Sequence, residues 1–305
     1  MAQLSKEKFK IIGCENVNSD EILRPSMTYW QDAWRRLKQN KVATASLIIL
    51  ILIALMTVVG QYINGFEFQI TNNDLVNKGP DMKHWFGTDN LGRDIFSRVW
   101  AGGRVSIIIG ILGAIIDTVV GSIYGGISGF FGGLVDDVMM RIVEILSSIP
   151  YLVVVILVSL IFHKGMFAII IAMTITGWVS MARLVRGQLL QIKEQEYVLA
   201  ATALGASPSR IIAKHLLPNT LGIMIVAITF DIPSFIFGEA FLSYLGQGIQ
   251  SPNTSWGALA AAAQPNLMFY PYQLFFPALF ISLTMLSFTL LGDGLRDALD
   301  PRLRQ

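Results

Sequence analysis

Four acidic residues sit inside long apolar runs of this 305-residue chain: Asp117, Asp231, Glu239 and Asp293. A carboxylate is costly to hold among apolar side chains. Where one persists, it lines a path for polar cargo, relays a proton or pairs with a neighbouring helix. Asp117 falls mid-run and bears the penalty most heavily. Asp231 stands beside Pro233, where a kink opens local backbone. Both are candidates for a translocation pathway, with pairing between helices as the alternative. Glu239 and Asp293 lie nearer the ends of their runs and are expected to be more easily solvated. Other chemistry lacks residues to carry it. Cys14 is the single cysteine, so no disulfide forms within the chain, and no CxxC or Cys/His metal spacing occurs. His84, His163 and His215 are scattered. No nucleophile–base pair stands out, and no GxxxxGK[ST] phosphate loop is present to bind ATP.

The elements that position these acids follow from composition. The chain is 53% hydrophobic and 14% charged, far below the roughly 25% charged residues of soluble domains. Six segments have about the 20 mostly apolar residues that a bilayer crossing needs: 42–63, 105–131, 145–162, 166–184, 221–241 and 276–295. Lipid offers the backbone no hydrogen-bond partner, so each must be helical. The expected fold is all-α, a polytopic membrane protein with six transmembrane helices and a helix–turn–helix between spans four and five. Gly121 and Gly125 form a GxxxG in the second span, a pattern that lets helices approach closely.

About forty polar residues precede the first span, so it reads as an uncleaved crossing and not as a signal peptide. Within them, Tyr29, Trp30, Ala33, Trp34 and Leu37 share one helical face, as in a helix lying on the membrane surface. Lys and Arg bias sets the orientation. With the N-terminus inside, the inner segments carry 17 and the outer segments 5, which places both termini in the cytoplasm. The net charge of +2 lies on no separate basic domain, so nucleic acid is not an expected partner. Asp136, Asp137, Arg141 and Glu144 crowd the second inner segment and read as a solvated face with ion pairs.

The stretch EYVLAATALGASPSRIIAKHLLPN, 196–219, is then a cytoplasmic loop. Its first half favours a helix that Gly205 can end. Ser207 can cap a second helix with Pro208 at its first position, running to about Leu217 before Pro218 disturbs it. Ala200, Ala201 and Gly205 leave little bulk at the turn, a shape that enters a groove on another protein. A plain connecting loop is the alternative.

This stretch resembles the EAA loop of ABC importer permeases: Ala200, Ala201, Gly205, Leu217 and Pro218 keep its spacing, while Leu199 and His215 replace its usual Glu and Ile. The wording, with Glu196, Ala206, Ser207 and Arg210, is similar to the oligopeptide, dipeptide and nickel branch. HWFGTDNLGRDIFSRVWAGGRVS, 84–106, resembles the sequence before the second span in that branch; Arg93, Asp94 and Arg98 in it are suited to local ion pairs. SYLGQGIQSPNTSWGALAAAAQ, 243–264, resembles an external stretch of the family, with Trp256 expected at the membrane interface. The N-terminal WQDAWRRLKQNK looks most like the C-type permease subunit of oligopeptide importers.

The resemblance implies an ATP-driven importer permease subunit in the plasma or inner membrane, with no catalytic residues and no cofactor of its own. ATP and Mg would bind two separate ATPase subunits, with a second homologous permease, an extracytoplasmic peptide-binding protein, peptide substrate and membrane lipid as the other partners. Residues 196–219 would couple to the ATPases. The chain divides into a tail (1–41), a first span with a large external loop (42–104), a five-span core (105–295) and a C-terminal tail (296–305). A proton-coupled secondary transporter using Asp117 and Asp231 is the rival, and a membrane scaffold a second.

Overall fold

The computed structural model describes residues 28–162 and 165–300; Cys14, His163 and residues 301–305 lie outside them. Helix α1, Tyr29–Gln39, opens on a reciprocal cap: the Thr28 hydroxyl accepts from the Gln31 amide at 3.4 Å, and the Gln31 side chain accepts from the Thr28 amide at 3.0 Å. Its apolar residues divide between two surroundings. Ala33 and Leu37 are buried, while Trp30 and Trp34 stay half exposed. Asn40 ends α1 and caps α2, Lys41–Ile63, accepting from the amides of Val42 and Ala43.

Residues 64–94 form an irregular segment ending in a cap: Asp94 accepts from the Ser97 amide at 2.8 Å and starts α3, Ile95–Phe131. This helix begins well before the expected residue 105, so 95–104 are helix and not loop. It is the centre of the bundle, packing on α6, α9 and α2. Then come α4 (Gly133–Ser148), α5 (Tyr151–Ile161), α6 (Met166–Ile192), α7 (Glu196–Ala203), α8 (Pro208–Ile211), α9 (Leu217–Tyr244), α10 (Trp256–Ala263) and α11 (Tyr272–Leu299). No strand is assigned among the described residues; only an isolated bridge joins Thr88 and Asp94.

Among the described residues, five helices are long and apolar enough to cross a bilayer: α2, α3, α6, the continuous stretch Pro208–Tyr244, and α11. The expected third span, 145–162, is broken. Residues up to Ser148 belong to α4, α5 follows at a bend of 84°, and the two together make the sixth candidate crossing. The cause is local: Pro150 drives Ile149 into extended backbone and supplies no N–H to continue the helix.

The spans also run longer than their apolar cores. Helix α6 continues to Ile192, and α11 continues to Leu299, into the expected tail. The interior is built from residues distant in sequence: Ile109, Ala114, Val155, Ile169, Met173, Ile232 and Ile236 form one cluster across α3, α5, α6 and α9. The GxxxG expectation holds. Cβ atoms built at Gly121 and Gly125 would run into the α6 backbone around Ala182.

Candidate functional site

The 196–219 segment folds as a helix, a sharp turn and a second helix. Gly205 takes φ +79°, its amide donates to Thr202 O at 3.0 Å, and the Ala206 amide donates to Ala201 O at 3.1 Å. This pair of bonds is the Schellman termination that glycine permits. The second half departs from expectation at its cap. Ser207 occupies the cap position of α8 but makes no side-chain cap bond; its hydroxyl lies 3.4 Å from that of Ser209. Pro218 disturbs the helix, as expected, but does not end it. Residues Ile212–Leu216 widen into a π turn, with the Leu217 amide bonded to Ile212 O, and α9 continues from there. A wide turn accommodates a residue that has no N–H and whose ring crowds the preceding turn.

The loop is anchored and exposed at once. Val198, Ile211 and Leu216 are buried in a cluster with Met181, Val185 and Leu189 of α6. Glu196, Ala200, Gly205, Ser207, Arg210 and Pro218 are exposed, with Ala201, Ala206 and Leu217 half-buried. Tyr197, Leu199 and Leu204 are exposed apolar residues on the same loop, Leu204 to 88%. A Cβ at Gly205 would meet nothing within 4 Å.

Asp117 and Asp231 come from α3 and α9 and are near enough to act on one another electrostatically. Asp117 is buried, its carboxylate lies against Gly177 of α6, and its Oδ1 has no hydrogen-bond partner in the described structure. Asp231 is half-buried. Asp293 is exposed, as expected.

Glu239 overturns the solvated expectation, because it is fully buried. Its Oε2 accepts from Ser106 at 2.9 Å, and its Oε1 accepts from Ser243 at 2.7 Å and Ser255 at 2.6 Å. The Trp256 amide donates to the Ser106 hydroxyl, and its ring N–H to Val99 O at 2.8 Å. Trp256 is therefore core and not interface. Its ring packs inward because α10 folds back against α3, α9 and α11.

The expected ion pairs form within the 64–94 segment and between it and the start of α3, but they are interior. Asp89 accepts from Arg93 Nε at 2.8 Å with Arg98 Nε at 3.5 Å, and His84 Nδ1 lies 2.9 Å from Asp94. Arg93, Arg98, Asp94 and His84 are all buried. At the exposed turn, the backbone N–H of His84, then Lys78, hold the Asp81 carboxyl well below the usual carboxylate range. On α4 the solvated face is only partly as expected. Arg141 pairs with Glu144 in the open at 3.0 Å, whereas Asp136 is buried and holds Arg186 of α6 and Ser128 of α3. Sequence reasoning missed the Asp136–Arg186 pair and the Glu239 cluster; the serines around Glu239 carry no local signal of that role.

The bundle of long apolar helices is that of a polytopic membrane protein, and its relatives give the class as permease subunits. The chain matches the family described as binding-protein-dependent transport system inner membrane component over residues 118–305. Residues 28–80 match the N-terminal TM domain of oligopeptide transport permease C. The chain belongs to this family of ABC importer permeases, and is a multi-pass membrane protein. It is 49% identical to an oligopeptide transport system permease protein of Bacillus subtilis (strain 168), over all of both chains. It is 50% identical to a dipeptide transport system permease protein of the same organism, over 99% of this chain and 95% of that one. An oligopeptide transport system permease protein of Escherichia coli (strain K12) is 43% identical, over 93% and 95%. In fold, the chain resembles the inward-facing MetNI methionine ABC transporter, with TM-score 0.53 and 20% identity, covering 67% of this chain and 94% of that one.

Proposed function

We propose that this chain is one of two permease subunits of an ATP-driven importer of oligopeptides. The observation that carries the reading is the 196–219 loop: a helix–turn–helix with a small-residue tip and exposed Leu199 and Leu204, rooted in the interior through Val198, Ile211 and Leu216. Such a lever suits docking in a groove of an ATPase subunit. When two ATPases bind ATP and Mg and close, motion at Gly205 passes through the anchor cluster to α6 and α9. The bundle then switches between outward-open and inward-open states as a rigid-body change.

In this reading both termini are cytoplasmic, and the exposed Trp30 and Trp34 of α1 sit among lipid headgroups. An extracytoplasmic binding protein delivers peptide to the opposite side. Asp117 and Asp231 face the pathway shared with the second permease. The chain itself performs no catalysis and binds no cofactor. Family membership favours this importer over a proton-coupled transporter. Dipeptides are the second reading for the cargo, since the dipeptide relative is as similar as the oligopeptide one.

Gentle detergent purification from native membranes, with mass spectrometry of what accompanies the chain, tests the assembly. Stoichiometric recovery of a second permease and phosphate-loop ATPases supports it. Recovery of the chain alone, from a preparation that keeps other complexes intact, overturns it.

A further inference from the structure

Between α4 and α6 lies a cavity of about 560 Å³, lined by Asp137, Arg141, Glu144, Arg183 and Arg186 among others. That volume is in the range of small-ligand sites, about 300–1,000 Å³. Its charges are not equivalent. Arg141 and Glu144 satisfy one another. Arg186 is held by Asp136 behind the wall. Arg183 has a hydrogen bond to Ser147 Oγ at 2.5 Å, which aims its guanidinium without neutralising it. Asp137 lines the same cavity with its carboxylate exposed; it acts electrostatically on Arg186, and no ion pair joins it to Arg183 among the described residues. A cation and an anion thus share one cavity from two separate helices, yet do not close on each other. That arrangement suits a dipolar guest spanning the gap, its carboxylate on the guanidinium fork and its ammonium toward the carboxylate.

Arg183 is about 13 Å from the end of α6, counting 1.5 Å per residue to Ile192. The cavity is therefore on the same side of the bundle as the 196–219 loop. We propose that this cavity is an inner-side subsite for the charged termini of the transported peptide, with Arg183 receiving the terminal carboxylate and Asp137 the terminal ammonium. The inference rests on the peptide-import reading above.

The test uses the complete transporter with its binding protein in proteoliposomes, and measures ATP-driven uptake of one peptide with a free C-terminus and of the same peptide C-terminally amidated. The same binding protein serves every arm, so its own preference cancels in the ratio of variant to wild type. Arg183→Gln is expected to lower uptake of the free-acid peptide about tenfold, the scale of one lost charged hydrogen bond, and to leave the amidated peptide at its wild-type rate. Arg183→Lys, which keeps the charge but loses the fork, restores only part of the loss. Asp137→Asn gives the mirror pattern, with N-acetylated peptide insensitive. Equal effects on both peptides, or no effect on either, overturn the subsite. A loss that follows the anionic phospholipid content of the vesicle regardless of the peptide's terminus assigns Arg183 to a lipid phosphate and overturns it too. Failure of the wild-type complex to take up any peptide is a different result: it removes the import reading and the subsite with it.

Discussion

Gly125 of α3 stands against the backbone of Ala182 on α6. A Cβ at 125 would lie 3.0 Å from the Ala182 carbonyl carbon and 3.0 Å from the Arg186 amide nitrogen. Backbone atoms within a helix cannot step aside as a side chain does. Gly121 and Gly129, one turn to either side, are close to Trp178 O and Arg186 O in the same way. The two helices meet along this strip, which fixes where Asp117, Asp136 and Arg186 are held.

Gly125→Val should therefore destabilise the bundle, by about 1–3 kcal/mol or more as overpacking does. Its neighbour Gly126 faces only side-chain carbons, the nearest 3.5 Å from a Cβ. Gly126→Ala should be neutral, or more stable by up to about 1 kcal/mol from helix propensity. Thermal melting of the purified variants in one detergent checks both, and equal losses would mean that the close approach at 125 is not what holds α3 to α6.

Glu239→Leu removes the acceptor shared by Ser106, Ser243 and Ser255. Each buried hydroxyl left unpaired costs about 1–3 kcal/mol, so a sharp fall in melting temperature is expected. Glu239→Gln keeps one acceptor oxygen and should fall less. The same melting assay ranks the two, and Leu matching wild type would show that α10 is held by packing alone.

In the 196–219 loop a Cβ at Gly205 meets nothing within 4 Å, but φ +79° strains an L side chain, so Gly205→Trp is read beside Gly205→Asn, which separates bulk at the tip from backbone strain. The expected outcome for Gly205→Trp is a protein present in the membrane at near-normal level that no longer supports uptake. Normal uptake by a well-expressed variant would sink the coupling assignment. Gly205→Asn, which tolerates positive φ, should retain most uptake.

Ser207→Ala deletes a hydroxyl that makes no cap bond, so its stability cost should be below the roughly 1 kcal/mol of a working cap. Melting temperature and uptake should both stay near wild type. Complete loss of transport would reveal direct contact between Ser207 and a partner.

The turn at Asp81 should respond to acid late. Asp81 accepts from the His84 amide at 2.6 Å and pairs with Lys78. Its carboxyl is depressed, so its contribution is complete above the unfolded carboxylate value, about 3.9, and is lost only as pH falls through the lower folded value. Asp81→Ala should speed amide exchange at Lys83 and His84 at neutral pH. After correction for intrinsic rates, the excess over wild type should persist at pH 4 and vanish only in stronger acid. Disappearance by pH 5 would contradict the depressed carboxyl.

Much of this was legible beforehand where the signal is local. The apolar lengths of α2 and α11, the glycine strip of α3 and the turn at Gly205 each announce themselves over a few residues. The break at Ile149–Pro150 was also locally encoded, yet a continuous apolar run masked it. What was illegible depends on neighbours far along the chain. Glu239 and Asp293 have similar positions near span ends, but one is enclosed by α3 and α10 and the other faces outward. Trp256 reads as an interface anchor until α10 folds inward.

By itself, then, the amino-acid sequence determined an all-helical membrane bundle, the helix–turn–helix of 196–219 and the family to which they belong. These rest on apolar run length, backbone preference and motif spacing, which are properties of contiguous residues. Only the tertiary structure decided which glycine of the pair 125 and 126 cannot grow a side chain, which acid is enclosed, and that Arg183 and Asp137 face one cavity without pairing. Burial and partnership are set by surfaces that different helices present to one another, and no periodicity within a single helix encodes its neighbour.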